Sequence, residues 1–202
     1  KKVDENFHII KEDYYPENGG VIFPNPNAPT SIYEDLEFVE DIIRHNQDVI
    51  VIVDEAYIDF AGESALSLLD KYDNLIITQT FSKARSMAGM RIGYAIASPL
   101  LIKYLNDAKY SFNSYTMNKT SLVYGVEAVK DKEYFAETTR KIVETRDWAE
   151  EEFKKLGFVF PKPSANFIFV SHLEYDAKEL FEAMKAKGIY VRFWGSERIE
   201  QY

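Results

Sequence analysis

The chain has 202 residues, of which 46% are hydrophobic and 28% charged, so it can fold as a globular protein around a sizeable core. Its formal net charge of −9 argues against nucleic acids and anionic membrane surfaces as partners, because proteins bind both through basic surfaces. The lack of cysteine and the scattered positions of the three histidines argue against disulfides, thiolate chemistry and a metal site, and fit a cytoplasmic location.

In the first half of the chain, short apolar runs alternate with amphipathic segments. The apolar runs predict strands at residues 7–10, 21–23, 48–53, 75–78 and 90–97. Helices are predicted after Ser31, which would form a capping box with Glu34, over residues 65–69 and from Pro99 onward. This alternation is typical of an α/β fold with a mostly parallel sheet and crossover helices. No apolar run reaches the roughly 20 residues that a membrane span needs.

The second half has a different organisation. A helix carrying residues 122–129 precedes a long, charged amphipathic helix over 132–156, which Gly157 ends. Strands are then predicted at 158–160, 165–171 and 189–194, with one helix at 175–187. This order predicts a small α+β domain. We therefore expect a partial large domain at 1–135 and a partial small C-terminal domain at 136–202.

The two ends of the chain have no features of natural termini. The chain begins KKVDENFHI without an initiator methionine and ends RIEQY without a tail-like segment. We therefore expect it to be a fragment of a longer protein that lacks both ends.

Polar motifs directly follow three of the predicted strands. They are NPNAPTS at 25–31, DEAYIDF at 54–60 and FSKARSMAGMR at 81–91. In a parallel α/β sheet, ligands bind beyond the carboxyl ends of the strands. Asp54, Tyr57 and Lys83 are therefore candidate site residues. On this local pattern alone, a solvated acidic turn and an ordinary surface lysine are the alternatives.

Taken together, NPNAPTS, VIVDEAYIDF and TFSKARSMAGMRIGY resemble, in order and spacing, the motifs of the fold-type-I pyridoxal-phosphate-dependent aminotransferases. Within that family the motifs are most similar to those of the branch that acts on histidinol phosphate. The resemblance implies a pyridoxal 5'-phosphate cofactor, a homodimer, and transfer of an amino group between L-histidinol phosphate and 2-oxoglutarate in histidine biosynthesis. The partners would thus be a small amino donor and a 2-oxo acid.

The resemblance also implies a role for each motif residue. Lys83 would bind the cofactor covalently and then act as the general base. Asp54 would keep the cofactor ring nitrogen protonated, and Tyr57 would donate to its phenolic oxygen. Ser82 and Arg91 would hold the phosphate through charge-assisted hydrogen bonds.

Four positions depart from the family pattern or allow more than one interpretation. Ala28 stands where the family has an asparagine that contacts the cofactor, and Asn27 is the candidate substitute. Ser31 replaces a glycine. Arg192 matches a family position that points at the substrate, and it is a candidate ligand of the substrate phosphate. The alternative is an edge-strand arginine in solvent. Arg85 lacks the GMRIGY context of Arg91, and we expect it to be a surface residue.

The resemblance further implies site elements outside this chain. A glycine-rich phosphate loop and a tyrosine that reaches the partner subunit are expected before Lys1, and a second substrate-binding arginine after Tyr202. Three other functions are consistent with the same motifs: an aromatic amino-acid aminotransferase, a threonine-phosphate decarboxylase, and a non-catalytic binding module that keeps the fold.

Overall fold

A four-stranded mixed sheet lies at the centre of the computed structural model, which describes residues 1–202. The strands are β1 (Val21–Pro24), β2 (Val51–Asp54), β3 (Leu75–Thr80) and β4 (Gly93–Ala97), and they lie in the order β1-β2-β3-β4. The first three are parallel, whereas β4 runs antiparallel to β3. The predicted α/β class is confirmed, with an antiparallel strand at one edge.

Five α-helices and a small second sheet complete the structure. The helices are α1 (Leu36–Arg44), α2 (Pro99–Phe112), α3 (Lys119–Lys130), α4 (Lys132–Lys155) and α5 (Ala177–Ala186). Strands β5 (Phe158–Val159) and β6 (Ser171–His172) pair antiparallel. None of the helices combines the length and the apolarity that crossing a membrane requires.

The main core lies between the sheet and α1. Alternate strand residues point to one face, so that Val51, Val53 and Ile77 are fully buried against Val39 and Ile42 of α1. Each such aliphatic side chain stabilises the fold by about 1.5–3 kcal/mol relative to an exposed one. The packing of this core sets the positions of the three parallel strands relative to one another, and with them the positions of their carboxyl ends.

Several predicted elements are wrong or shorter in the structure. Residues 7–10 contribute only one bridge, between Val3 and Ile9. The helix predicted at 65–69 is a single 3₁₀ turn. The strand predicted at 165–171 is reduced to Ser171–His172, and 189–194 forms no strand. The segments at 7–10, 165–171 and 189–194 have the apolar pattern of strands, but most of their residues have no neighbouring backbone to pair with, and a strand requires that partner.

The predicted capping box is also wrong. Asp35 is the N-cap of α1, and its carboxylate accepts from the Phe38 N–H at 2.8 Å. Ser31 is buried in the left-handed region with φ 64°. Its hydroxyl oxygen accepts from the backbone N–H groups of Ser164 (3.0 Å) and Ala165 (2.7 Å). Ser31 therefore joins the turn after β1 to the C-terminal part of the chain.

Helix α4 joins the two parts of the chain at a second point. Arg146 donates to the carbonyl oxygens of Phe60 (2.9 Å) and Ala165 (3.1 Å), and its side chain is only 10% exposed. The predicted domain boundary between residues 135 and 136 falls in the first turn of this helix. The division into domains stays a prediction.

Candidate active site

The carboxyl ends of β1, β2 and β3 lie side by side. Pro24 pairs with Asp54, and Asp54 pairs with Thr78. Beyond the last pairs, the Asn25 N–H donates to the Asp54 carbonyl and the Glu55 N–H donates to the Thr78 carbonyl, both at 2.8 Å. The three polar motifs of the sequence therefore leave the sheet at one edge.

Lys83 lies in a tightly closed loop after β3. The Phe81 N–H donates to the Ile92 carbonyl and the Met87 N–H donates to the Phe81 carbonyl, both at 3.0 Å. The predicted strand at 90–97 accordingly starts only at Gly93. Because the loop closes on itself, the path of its backbone determines where Lys83 lies. We call residues 81–91 the lysine loop.

The amine of Lys83 lies over the ring of Tyr57. Its Nζ is 4.9 Å from the ring centroid, within the range of a cation–π contact. Tyr57 in turn packs edge-to-face against Phe167, with ring centroids 5.1 Å apart. Lys83 forms no ion pair with any carboxylate in the structure. A half-buried amine without such a partner is suited to covalent chemistry.

Asp54 and Glu55 are consecutive carboxylates in different environments. Half-buried Asp54 ends β2, and its Oδ1 accepts from the Ala56 N–H at 3.1 Å, while its other oxygen has no protein donor. Glu55 is 1% exposed. Of the two carboxylates, only that of Asp54 has an oxygen left to bind a ligand.

Sequence reasoning missed the role of Glu55. Its carboxylate accepts from Ser64 Oγ (2.6 Å), the Ala65 N–H (2.7 Å) and Gln79 Nε2 (2.8 Å). Tyr94 OH donates to the Oε1 of the same Gln79 at 2.5 Å. Burial raises the pKa of the Glu55 carboxyl, and the donors partly offset this. Glu55 thus ties β2 to β3 and β4 beneath the site.

The predicted phosphate ligands lie at the two ends of the lysine loop. The Ser82 N–H donates to Thr80 Oγ1 at 3.1 Å, and the Ser82 hydroxyl has no partner in the structure. Arg91 is exposed, with a left-handed backbone (φ 55°), and its Nη1 donates to the Ala88 carbonyl at 3.0 Å. No hydrogen bond joins Arg91 to Ser82 or to Lys83.

The turn after β1 uses its asparagines mainly for its own structure. Asn27 Nδ2 donates to Thr30 Oγ1 at 2.8 Å, which leaves the side-chain Oδ1 of Asn27 without a partner. Asn25 is buried and exchanges two hydrogen bonds of 2.8 Å with the backbone of Glu34. Asn25 therefore holds the turn against the start of α1, a role that the predictions did not include.

Arg192 and Tyr57 line a common groove. The groove has a volume of about 570 Å³ and is mostly apolar, with Ala28, Phe167 and Trp194 also in its wall. The Arg192 guanidinium is exposed and lies 5.4 Å from the ring centroid of Trp194. The structure thus places Arg192 on the groove that begins at Tyr57, whereas Lys83 and Asp54 do not line it.

Arg85 is not the surface residue that the sequence predicts. Its Nη1 donates to the Ala128 carbonyl at 2.7 Å, and the guanidinium lies 4.1 Å from the ring centroid of Phe135. No local pattern could indicate this position, because both partners are more than forty residues away along the chain.

Comparisons with known proteins agree with the fold and the motifs. The chain is 45% identical over 201 residues to the histidinol-phosphate aminotransferase of Clostridium botulinum (strain Okra / Type B1), and the match covers 100% of this chain but 57% of that protein. The chain therefore spans little more than half the length of this relative.

Two solved structures are similar over most of the chain. The histidinol-phosphate aminotransferase from Clostridium acetobutylicum matches with a TM-score of 0.85 and 27% identity, covering 94% of this chain and 59% of that one. The enzyme of the same name from Sinorhizobium meliloti, in complex with pyridoxal-5'-phosphate, has a TM-score of 0.78 and 27% identity, covering 91% and 51%. The sequence profile of the aminotransferase class I and II family matches residues 2–201. The chain belongs to this family.

Proposed function

We propose that the protein is a pyridoxal-phosphate-dependent transaminase that moves an amino group between L-histidinol phosphate and 2-oxoglutarate. The observation that carries the proposal is the Lys83 amine, which has no carboxylate partner and lies 4.9 Å from the Tyr57 ring beside the ends of three parallel strands. Membership of the aminotransferase family and 45% identity to a histidinol-phosphate aminotransferase support it.

The side chains at this edge fit pyridoxal phosphate in their chemistry. Lys83 offers a primary amine for the aldehyde, and Asp54 a carboxylate oxygen without a protein donor for the ring nitrogen. Tyr57 offers a phenol for the phenolic oxygen, while Ser82 and Arg91 offer a hydroxyl and a cation for the phosphate. Asn27, with its free side-chain Oδ1, stays a candidate neighbour of the cofactor.

When bound, pyridoxal phosphate supplies an electron sink for the bond that breaks at the substrate Cα. Lys83 would hold the cofactor through its amine, and the same amine, when free and neutral, would serve as the base that moves a proton at the substrate Cα. The Tyr57 ring lies against this amine and limits where it can move. Asp54 would keep a proton on the cofactor ring nitrogen by its negative charge.

Arg192 is the proposed ligand of the substrate phosphate. A guanidinium binds phosphate through paired hydrogen bonds, and the groove that leads from Tyr57 to Arg192 is apolar enough to cover an imidazole ring. The substrate would then lie along this groove, with its amine at the Tyr57 end, next to Lys83.

We also propose that the protein works as a homodimer in the cytoplasm. Helix α2 buries none of its residues, and it exposes Leu100, Tyr104 and Phe112. An exposed apolar face of this kind supports a protein interface. Sedimentation at micromolar concentration should give the mass of two chains, and a persistent monomer would remove this part of the proposal.

A panel of amino donors tests the substrate. The purified protein is loaded with pyridoxal phosphate, and the absorbance of the bound cofactor is followed after addition of histidinol phosphate, histidinol, phenylalanine or threonine phosphate. We expect histidinol phosphate to convert the cofactor to its amine form fastest, and Arg192→Ala to slow it while leaving histidinol unaffected. Faster conversion by phenylalanine would identify an aromatic aminotransferase, and carbon dioxide release from threonine phosphate would identify a decarboxylase. If the protein took up no cofactor, it would be a non-catalytic binding module.

A further inference from the structure

We infer that Arg85 is a positioning residue for Lys83, because its guanidinium fastens the lysine loop to helices α3 and α4. The inference rests on the proposed function, in which Lys83 is the catalytic residue. Arg85 itself needs no contact with cofactor or substrate in this role.

Three contacts define the position of the Arg85 guanidinium. Nη1 donates to the Ala128 carbonyl at 2.7 Å. The group lies 4.1 Å from the ring centroid of Phe135 on α4 and 5.3 Å from that of Phe81 at the start of the loop. Arg85 therefore lies between the loop and both helices.

The Ala128 carbonyl is an effective attachment point. It belongs to the last turn of α3, where carbonyl groups have no partner within the helix and carry the negative end of the helix dipole. A guanidinium at this end satisfies a carbonyl and complements the dipole. Arg85 thus stabilises the end of α3 and the loop through one hydrogen bond.

The same face of α3 holds the far end of the lysine loop. Ser121 is buried, and its hydroxyl donates to the Met90 carbonyl at 2.7 Å. Between the two attachments lies Gly125, where an added Cβ would come within 3.0 Å of the Ile92 side chain. Residues 121, 125 and 128 share one helix face. The loop is therefore attached to α3 at two points, Arg85 in its middle and Met90 near its end.

Lys83 depends on these attachments because it has few of its own. Its backbone carbonyl accepts from the Ser86 N–H at 2.9 Å, inside the loop, and its side chain makes no hydrogen bond or ion pair, with its amine over the Tyr57 ring. The place of the amine is thus set by the loop backbone. A displacement of about 1 Å at a reacting group can lower the rate of the chemical step by roughly a hundredfold.

Arginine is better suited to this position than lysine. Its planar guanidinium can stack on Phe135 and donate to Ala128 at the same time, whereas a lysine ammonium is a strongly hydrated point charge. Arg85→Lys should therefore keep the charge but loosen the loop.

The test compares Arg85→Ala, Arg85→Lys and Phe135→Leu with a matched control, Arg140→Ala, which removes an exposed arginine from the same helix as Phe135. Hydrogen–deuterium exchange of residues 81–92 reports on the loop without cofactor. Release of pyridoxal phosphate and the pH midpoint of its absorbance report on Lys83. For Arg85→Ala we expect exchange and release to rise roughly tenfold, since a charged hydrogen bond is lost. The pH midpoint of the cofactor absorbance should also shift in Arg85→Ala. In Arg140→Ala, the exchange, the cofactor release and the pH midpoint should all match wild type.

The outcomes separate the two proposals. If wild type never binds pyridoxal phosphate, the proposed function fails, but the exchange comparison still decides whether Arg85 fastens the loop. If wild type binds the cofactor and Arg85→Ala behaves like Arg140→Ala, the inference about Arg85 is overturned. Should Arg85→Ala fail to fold, Phe135→Leu decides, because it removes the stacking surface alone and should raise exchange only in the loop.

Discussion

Among single residues, Asp54 and Glu55 are adjacent carboxylates whose side chains lie in different environments, because consecutive residues of a strand point to opposite faces. Both follow the apolar part of β2, and the sequence alone does not say which carboxylate is free. The structure gives Glu55 three donors and leaves one Asp54 oxygen without any. The place of Asp54 at the carboxyl end of a parallel strand predicted it as a site residue, and the family resemblance gave its role. The role of Glu55 needed its partners Ser64 and Gln79 in space.

The raised pKa of Glu55 leads to a pH-dependent stability. Between the ordinary glutamate value of 4.5 and the raised value, the folded chain binds more protons at Glu55 than the unfolded chain does. The contribution of this group to the free energy of unfolding therefore falls as pH rises through that window. Glu55→Gln removes the titration, so its urea midpoint should rise relative to wild type as pH increases above about 4.5.

The control for this experiment is Glu63→Gln, which changes an exposed glutamate eight residues further along the chain. It should follow the wild-type pH profile. A difference between wild type and Glu55→Gln that is constant over the window, or that has the opposite sign, would contradict the environment described for Glu55.

At the scale of elements, apolar periodicity predicted the helices and the central strands but not their caps or their edges. The alternation in β2 and β3 and the long stripe of α4 were sufficient, because burial on one face determines these elements. The start of α1 was placed wrongly because Ser31 and Asp35 are both good capping residues. The choice between them depends on Ala165, which binds Ser31 from 134 residues away.

The cap of α1 gives a direct prediction. Asp35→Ala removes the acceptor for the Phe38 N–H and should lower the free energy of unfolding by about 1 kcal/mol. Urea denaturation measures this change in the free energy of unfolding. The control is Glu37→Ala, which changes an exposed residue in the same first turn. An equal effect of the two substitutions would mean that Asp35 does not cap the helix.

At the scale of the whole molecule, the turn after β1, the end of the Ile58–Phe60 turn and helix α4 meet around residue 165. Arg146 donates to Phe60 and Ala165, and Ser31 accepts from Ser164 and Ala165. These contacts join segments that are distant in sequence, so no local pattern could predict them. They set the position of Phe167, which packs on Tyr57 and so links this junction to the candidate site.

Arg146→Ala tests this junction. Two buried carbonyl groups would lose a charged donor, so we expect the free energy of unfolding to fall by about 3 kcal/mol and exchange to increase at residues 160–167. Arg140→Ala removes an exposed arginine of the same helix and should change stability by less than about 0.5 kcal/mol. Equal losses in the two variants would show that the junction adds nothing specific.

The central claim is that Lys83 holds the cofactor, and covalent trapping tests it most directly. The protein is mixed with pyridoxal phosphate, reduced with borohydride and digested, and the labelled peptide is identified by mass spectrometry. Lys109→Ala, which removes another lysine with a neighbouring aromatic ring, serves as the control. We expect a single label on Lys83 that persists in Lys109→Ala and disappears in Lys83→Ala. A label on any other lysine, or none on wild type, would contradict it.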